Sequence, residues 1–387
     1  MGSSEITPRH ICVWSGKRGG FGALLPTMKA IAAQPNCRLS VVATDQHLYS
    51  QFGRTIEEVA SHVPVSAEID MEQAGDSNCD RARAVGVCLT KAADVLARLA
   101  PDILLVIGDR GEVFAACIAA HNLRIAIAHV QGGDISGSLD EPVRHAITKL
   151  AHLHFPSTPA SAKRLLNMGE EPWRIHTVGD THIDQIFLNK YSAEEGLRER
   201  YNLPRDEPLL LVLQHSDSTC PEDSSRQMSA TLEGVLAMGI RTLLVYPCSD
   251  QGFEGIISQM ESHQGHAGVS IHKNIPAADF IGLQRIASCL IGNSSAGLIE
   301  APYFQLPVVN VGDRQTGRER CANVMDCPYD AGVIREAIHQ AIYDSEFKKL
   351  IAAENPPFGD GTAYKQITGV LATVDLDERL LNKRMTF

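Results

Sequence analysis

Short apolar runs rich in Val, Ile and Leu recur along the chain at His10–Trp14, Leu39–Ala43, Ile103–Ile107, Ile125–His129, Leu209–Leu213, Thr242–Tyr246 and Cys289–Ile291. Runs this short and continuous fit strands buried on both faces. Between them, Ala23–Ala33, Cys79–Leu99, Val113–Asn122 and Pro142–Ala151 carry apolar residues at helical spacing, as crossover helices do. The alternation predicts an α/β protein with parallel sheets. No repeat of about 20 to 50 residues overlies it, which speaks against a solenoid or propeller. The stretch Tyr191–Pro208 is charged, broken by Gly196 and Pro204, and followed by a fresh apolar run. It reads as a helix and linker joining two domains.

The polar residues that end these runs carry more information than the runs themselves. In the first half, one run ends in Ser-Gly-Lys-Arg-Gly-Gly and another in Gly-Asp-Arg; in the second, the endings are Gln-His-Ser-Asp, Pro-Cys-Ser-Asp and Gly-Asn-Ser-Ser. Open parallel sheets bind ligands at the carboxyl ends of their strands, so two polar edges facing each other would make one interdomain cleft.

Composition narrows what the cleft can take. A chain of 387 residues exceeds what one hydrophobic core usually organises. A formal charge of -11 and a pI of 5.7 argue against nucleic acid as a partner, while leaving room for a local basic pocket holding one small anion. Neither a signal-type N-terminus nor an apolar run approaching roughly 18 residues is present, which predicts a cytoplasmic protein with no membrane partner. The ten cysteines are widely spaced, without a C-x-x-C pair or a compact Cys/His cluster, and read as reduced, mostly buried thiols.

Three motifs stand out. Gly16-Lys17-Arg18-Gly19-Gly20-Phe21-Gly22 lies between a strand and a helix; it is either a tight glycine turn or a phosphate loop, and it does not match G-x-G-x-x-G. Arg18 discriminates between these, because a guanidinium can hold a diphosphate bidentately. Gly292-Asn293-Ser294-Ser295-Ala296-Gly297 offers two hydroxyls and backbone N–H groups to an anion, with Glu300 placed to accept from ribose hydroxyls. The densest constellation joins Gly108-Asp109-Arg110, His129-Val130-Gln131-Gly132-Gly133-Asp134 and Asp140-Glu141-Pro142-Val143-Arg144-His145. Carboxylates near a bound sugar suit proton abstraction and donation, although Asp140 and Arg144, four apart, are also spaced for a surface ion pair. Among 15 histidines, His215 follows a strand and faces the expected cleft.

Taken together, Arg18–Leu24, Ile107–Glu112, Ala128–Pro156, His215, Tyr246–Gly252, Gly292–Pro302 and Gly312–Asn323 resemble the hydrolysing UDP-N-acetylglucosamine 2-epimerases, in order and over most of the chain. The run Arg144-His145-Ala146-Ile147-Thr148-Lys149-Leu150-Ala151-His152 beside Gly-Asn-Ser-Ser-Ala-Gly is the most specific part. The resemblance implies a GT-B architecture of two Rossmann-like domains, 1–188 and 189–368, with a C-terminal helix at about 369–387 packing back on the first. It implies loss of the nucleoside diphosphate from C1 as a base removes the C2 proton, then hydration of the 2-acetamidoglycal to the free 2-epimer, a ManNAc-like sugar for nonulosonic acid or surface polysaccharide synthesis. A non-hydrolysing epimerase, a GT-B glycosyltransferase or a weakened nucleotide-sugar binding protein are the alternatives. The substrate would be UDP-N-acetylglucosamine or a GDP or 2,4-diacetamido analogue, with no metal or redox cofactor, in a homo-oligomer (dimer or tetramer). Carried over, Arg18, Arg110, His215, Ser294, Ser295, Glu300 and Arg314 would hold the nucleotide, with Gly22 and Asp250 in the same site. Asp109, Asp140 and Arg144 would line the sugar. Three positions depart from the family pattern: Gln131 stands for a catalytic glutamate, Gly20 for an acidic residue, and Cys248 for a common asparagine. An amide cannot be a general base, so Asp109, Asp134 or Asp140 would carry the proton chemistry.

Overall fold

The computed structural model describes residues 8–386. The outer ends of the expected domain boundaries, at residues 1 and 387, lie outside them. Twelve strands are found among the described residues: β1 Arg9–Ser15, β2 Cys37–Thr44, β3 Val65–Ile69, β4 Ile103–Ile107, β5 Ala126–Val130, β6 Leu153–Phe155, β7 Leu209–Leu213, β8 Arg241–Val245, β9 Val269–His272, β10 Cys289–Gly292, β11 Val308–Val311 and β12 Val324–Cys327. They form two six-stranded parallel sheets, ordered β3-β2-β1-β4-β5-β6 and β12-β11-β10-β7-β8-β9. Read from its own first strand, the second sheet repeats the order of the first. Each half starts at the centre, winds to one edge, and returns to the other side of its first strand, so the crevice opens between β1 and β4 and between β7 and β10.

Every expected run is a strand, because alternate residues of each enter different cores. Ile11, Val13 and Leu105 join one apolar cluster, and Cys12, Trp14, Leu104 and Val106 the other. Leu210 and Val212 separate from Leu209 and Leu211 in the same way. Truncating such a side chain, as in Leu105→Ala, costs about 2–5 kcal/mol. The four expected helices are Arg18–Ala32, Asn78–Leu99, Gly111–Asn122 and Glu141–Leu150, and the linker stretch holds the helix Glu194–Arg200.

The C-terminal segment differs from expectation. It forms a helix Ala363–Thr373 and a separate short helix Glu378–Leu381 rather than one helix from 369. The chain leaves the helical conformation at Val374, and Asp377 opens the second helix by accepting from the Leu380 N–H. Ala363, Ile367, Leu371 and Leu380 are nonetheless buried in the core beneath the first sheet.

Bonds across the crevice tie the halves together. Arg18 donates to the carbonyls of Tyr246 and of Lys273, the latter at 3.0 Å. Arg318 donates to Ile135 O at 3.0 Å, and the Gly137 N–H to Arg314 O at 3.1 Å.

Candidate active site

The crevice, together with the solvent at its mouth, spans about 1420 Å³ and is lined from both halves. From the first come Lys17, Arg18, Gly22, Asp109, Gln131, Asp140, Arg144 and His182; from the second, His215, Ser294, Ser295, Glu300, Arg314 and Arg318.

On the first side, Asp109 and Asp140 have opposite electrostatics. Asp109 follows β4, and the Arg144 guanidinium pairs with it directly. Burial alone would raise its pKa, but Arg144 and then Lys17 hold it below the usual carboxylate value. Asp140 precedes the helix Glu141–Leu150. Burial, followed by repulsion from Asp109 and Asp250, lifts its pKa to about 6. One carboxylate is thus fixed as an anion while its neighbour exchanges a proton near neutrality.

On the second side, the loops after β7 and β10 are stitched by Asn293. Its Oδ1 accepts from the His215 N–H at 2.7 Å and its Nδ2 donates to His215 O at 2.9 Å. The Cys248 N–H donates to His215 Nδ1 at 3.0 Å, so the hydrogen of the neutral ring sits on Nε2. Burial, then the charge of Arg314, keeps His215 well below its ordinary pKa. It is therefore a neutral N–H donor rather than a cation. Glu300 receives the Gln284 amide on one oxygen at 2.7 Å, and burial raises its pKa.

Three expected site residues take other places. Arg110 does not line the crevice: its guanidinium is spent on Asp250, on Asp45 and Glu112 at 3.1 Å each, and on Ser249 at 3.1 Å. Asp250, equally hidden, bridges Arg110 to Arg314 at 3.3 Å and so orients a lining cation. Asp134 turns away and accepts from the Ser161 hydroxyl at 2.6 Å, beside a separate small cavity. Gly22 does line the crevice, but its role there is close packing: a Cβ would stand 3.2 Å from that of Ala277 in the other half. Arg18 lines it as an interdomain strap, its guanidinium engaged by two carbonyls.

Other lining residues were not singled out from sequence. Lys17 makes no side-chain hydrogen bond or ion pair among the described residues, so its ammonium is open to an anion. Arg318 lines the same space, and His182 enters it from the turn Thr181–Ile183 after β6. Lys17 belongs to the glycine-rich Gly16–Gly22 segment, whereas nothing in the local spacing marks His182.

A profile of the UDP-N-acetylglucosamine 2-epimerase family matches residues 29–372. The chain belongs to this family. It is 33% identical to a UDP-N,N'-diacetylbacillosamine 2-epimerase (hydrolyzing) of Legionella pneumophila, over 97% of the chain and 98% of the relative. It is 28% identical to a GDP/UDP-N,N'-diacetylbacillosamine 2-epimerase (hydrolyzing) of Campylobacter jejuni, over 83% and 85%. The fold matches the crystal structure of UDP-GlcNAc 2-epimerase from Neisseria meningitidis bound to UDP-GlcNAc, with a TM-score of 0.79 at 19% identity, covering 94% of this chain and 99% of that one. The architecture is GT-B.

Within this epimerase-family chain the three departures have visible surroundings. At Gly20 a Cβ would come within 3.2 Å of the Ile107 side chain, so an acidic residue would need Ile107 to shift. Cys248 serves His215 through its backbone N–H, which any residue other than proline supplies. Gln131 is the strained one. It is buried with φ +65°, a left-handed conformation that costs a non-glycine residue about 1–2 kcal/mol. Its N–H donates to Phe155 O at 3.0 Å, and Arg144 donates to its carbonyl at 3.0 Å.

Proposed function

We propose that this chain is a hydrolysing 2-epimerase of a UDP-2-acetamido sugar, of the UDP-N-acetylglucosamine and 2,4-diacetamido class. The observation that carries this reading is a crevice lined on one side by Asp109, ion-paired with Arg144, and by Asp140, opposite a wall of donors and cations. Ionised Asp140 takes the C2 proton, and the electron pair of the C2–H bond forms the C1=C2 double bond. The C1–O pair leaves with the diphosphate. Lys17, Arg314, the His215 Nε2–H and the hydroxyls of Ser294 and Ser295 meet the charge that develops there, as donors and cations already in place. Glu300 accepts from the ribose. Water then adds its oxygen to C1, a solvent-derived proton arrives at C2, and the free sugar leaves.

The division of labour belongs to the same proposal. Residues 1–188 with the returning C-terminal segment handle the sugar, and 189–368 hold the nucleotide. So do a cytoplasmic location, which fits ten unpaired cysteines, and a dimeric or tetrameric state, which light scattering reads directly. Among the described residues no helix is long and apolar enough to cross a membrane.

Incubation with a panel of UDP- and GDP-linked 2-acetamido and 2,4-diacetamido sugars in deuterated water, followed by mass spectrometry, tests the reading. The expected products are free UDP and a free 2-epimer carrying one deuterium at C2. A 2-epimer still attached to its diphosphate would indicate a non-hydrolysing enzyme; free sugar without deuterium would indicate simple hydrolysis at C1; binding without turnover would indicate a binding protein.

A further inference from the structure

Inverting C2 through an alkene intermediate calls for two proton carriers, because the proton leaves from one face and returns to the other. Asp140 supplies one, and the amide at Gln131 cannot supply a second. Beside that amide stands a pair that can. His182 Nδ1 lies 2.7 Å from Asp180 Oδ1, and Asp180 Oδ2 accepts from Gln131 Nε2 at 2.9 Å and from the Ser157 hydroxyl at 2.9 Å. The Asp180 carboxylate also accepts the His182 backbone N–H at 2.9 Å, which holds the residue in place. The short Nδ1 contact puts a hydrogen on Nδ1, so the 3.2 Å approach of Gln131 Nε2 to the same nitrogen is contact rather than a hydrogen bond. Nε2 is used by no hydrogen bond among the described residues, and the side chain is 18% exposed in the lined crevice. Asp180 itself is fully buried. The arrangement is that of an imidazole oriented and charged by a hidden carboxylate.

We infer that His182, oriented by Asp180, is the acid that returns a proton to C2 in the hydration step, doing in this chain what the amide at Gln131 cannot. This rests on the epimerase reading above and completes its proton balance. In hydration the π pair of the alkene takes the proton from His182 Nε2, water oxygen bonds to C1, and the proton lost by that water restores His182. The proton that Asp140 took in the elimination goes to solvent with the released UDP. Gln131 positions the pair by holding Asp180 Oδ2. The charged groups facing His182 are Asp180 on its own turn, Glu300 from the second domain and Lys17 at the start of the helix Arg18–Ala32. Burial would lower the imidazole's pKa, but Asp180 and then Glu300 outweigh it and Lys17 opposes them, leaving it raised. There is accordingly a pH interval above about 6 in which Asp140 is ionised while the ring still carries its proton.

The test compares wild type, His182→Gln and Asp180→Asn in sugar release across pH, with UDP affinity measured alongside. For His182→Gln we expect kcat to fall about 100-fold or more, UDP affinity to hold within about twofold, and the alkaline limb of the kcat profile to vanish. In Asp180→Asn the alkaline limb should move to lower pH, since the imidazole loses its anionic partner. Nitrogen NMR of the wild-type imidazoles covers the case in which a variant does not fold: one ring should titrate with that alkaline limb and shift on UDP-sugar binding. Wild-type kcat and an unmoved profile in His182→Gln, or no ring titrating with the limb, would overturn the assignment. A wild-type protein that releases no UDP from any 2-acetamido sugar would overturn the epimerase reading instead, while the ring titration would still report on the Asp180–His182 pair.

Discussion

Asp140 and Glu300 show how one residue's surroundings become a measurable constant. The Asp140 pKa is raised to about 6 by burial and by Asp109, and the base is its ionised form. Turnover should therefore rise with pH through about 6 until the alkaline limb set by His182 begins, and Asp140→Asn should lose the acid limb together with about 100-fold or more in kcat, leaving KM nearly unchanged. A pH series of initial rates on both proteins decides it; an acid limb that persists in Asp140→Asn would move the base elsewhere. Glu300→Ala removes the acceptor offered to the ribose and strands the Gln284 amide, so UDP should bind about 1–3 kcal/mol more weakly by calorimetry. An unchanged affinity would take Glu300 out of the nucleotide site. Both residues were legible in sequence because Asp140 belongs to the polar stretch between β5 and β6 and Glu300 follows the Gly292–Gly297 loop after β10. His182 was not, since what makes it a candidate is Asp180 against Gln131, which lies 51 positions from His182 and meets it only once β5 and β6 pair.

Elements account for most of what was legible and for most of what was missed. The seven expected strands lie centrally or beside the centre, where both faces are apolar. Three of the other five, β3, β9 and β12, are edge strands and carry polar residues such as Glu68, His272 and Asp326, because an edge strand has less apolar surface to cover; β11, beside the centre, is four residues long with a buried Asn310, and β6 is three residues long with a buried His154. Arg110 is the corresponding case among site residues. Its position after β4, beside Asp109, suggested a phosphate ligand, but the loops around it bring Asp45, Glu112 and Asp250 into one buried ionic joint that also takes Arg81, 3.1 Å from Asp45 and 2.5 Å from Glu112. Removing a partner from such a joint leaves carboxylates buried without their countercharge, at a cost of about 3–5 kcal/mol. Arg110→Ala should accordingly lower the thermal or denaturant midpoint strongly. Any loss of UDP affinity in the folded fraction should be smaller than in Glu300→Ala. A stable Arg110→Ala protein that no longer binds UDP would restore the ligand role.

At the scale of the whole molecule, the chain's last segment returns to the first half, and a buried carboxylate is one of the groups that fix that return. Asp184, fully buried, accepts the N–H groups of Ala363 at 3.1 Å and Tyr364 at 2.9 Å, at the start of the helix Ala363–Thr373. Its neighbour Gln185 donates to Gly22 O at 2.6 Å, so the same short segment braces the helix that begins at the cleft. Burial outweighs those two donors and lifts the Asp184 pKa to about 7, against about 3.9 in an unfolded chain. The folded state therefore binds more protons than the unfolded one between these values, and the contribution of Asp184, complete below about 4, is lost as pH rises towards 7. Asn at this position keeps an acceptor for the helix start and cannot ionise. Denaturant unfolding of wild type and Asp184→Asn from pH 4 to 8 should show the variant gaining on the wild type by up to about 1.4 kcal/mol per pH unit in that window, with the difference levelling above about 7. A difference that stays flat would mean that the buried carboxylate ionises as readily in the fold as outside it, and that the two N–H donors, rather than burial, set its charge.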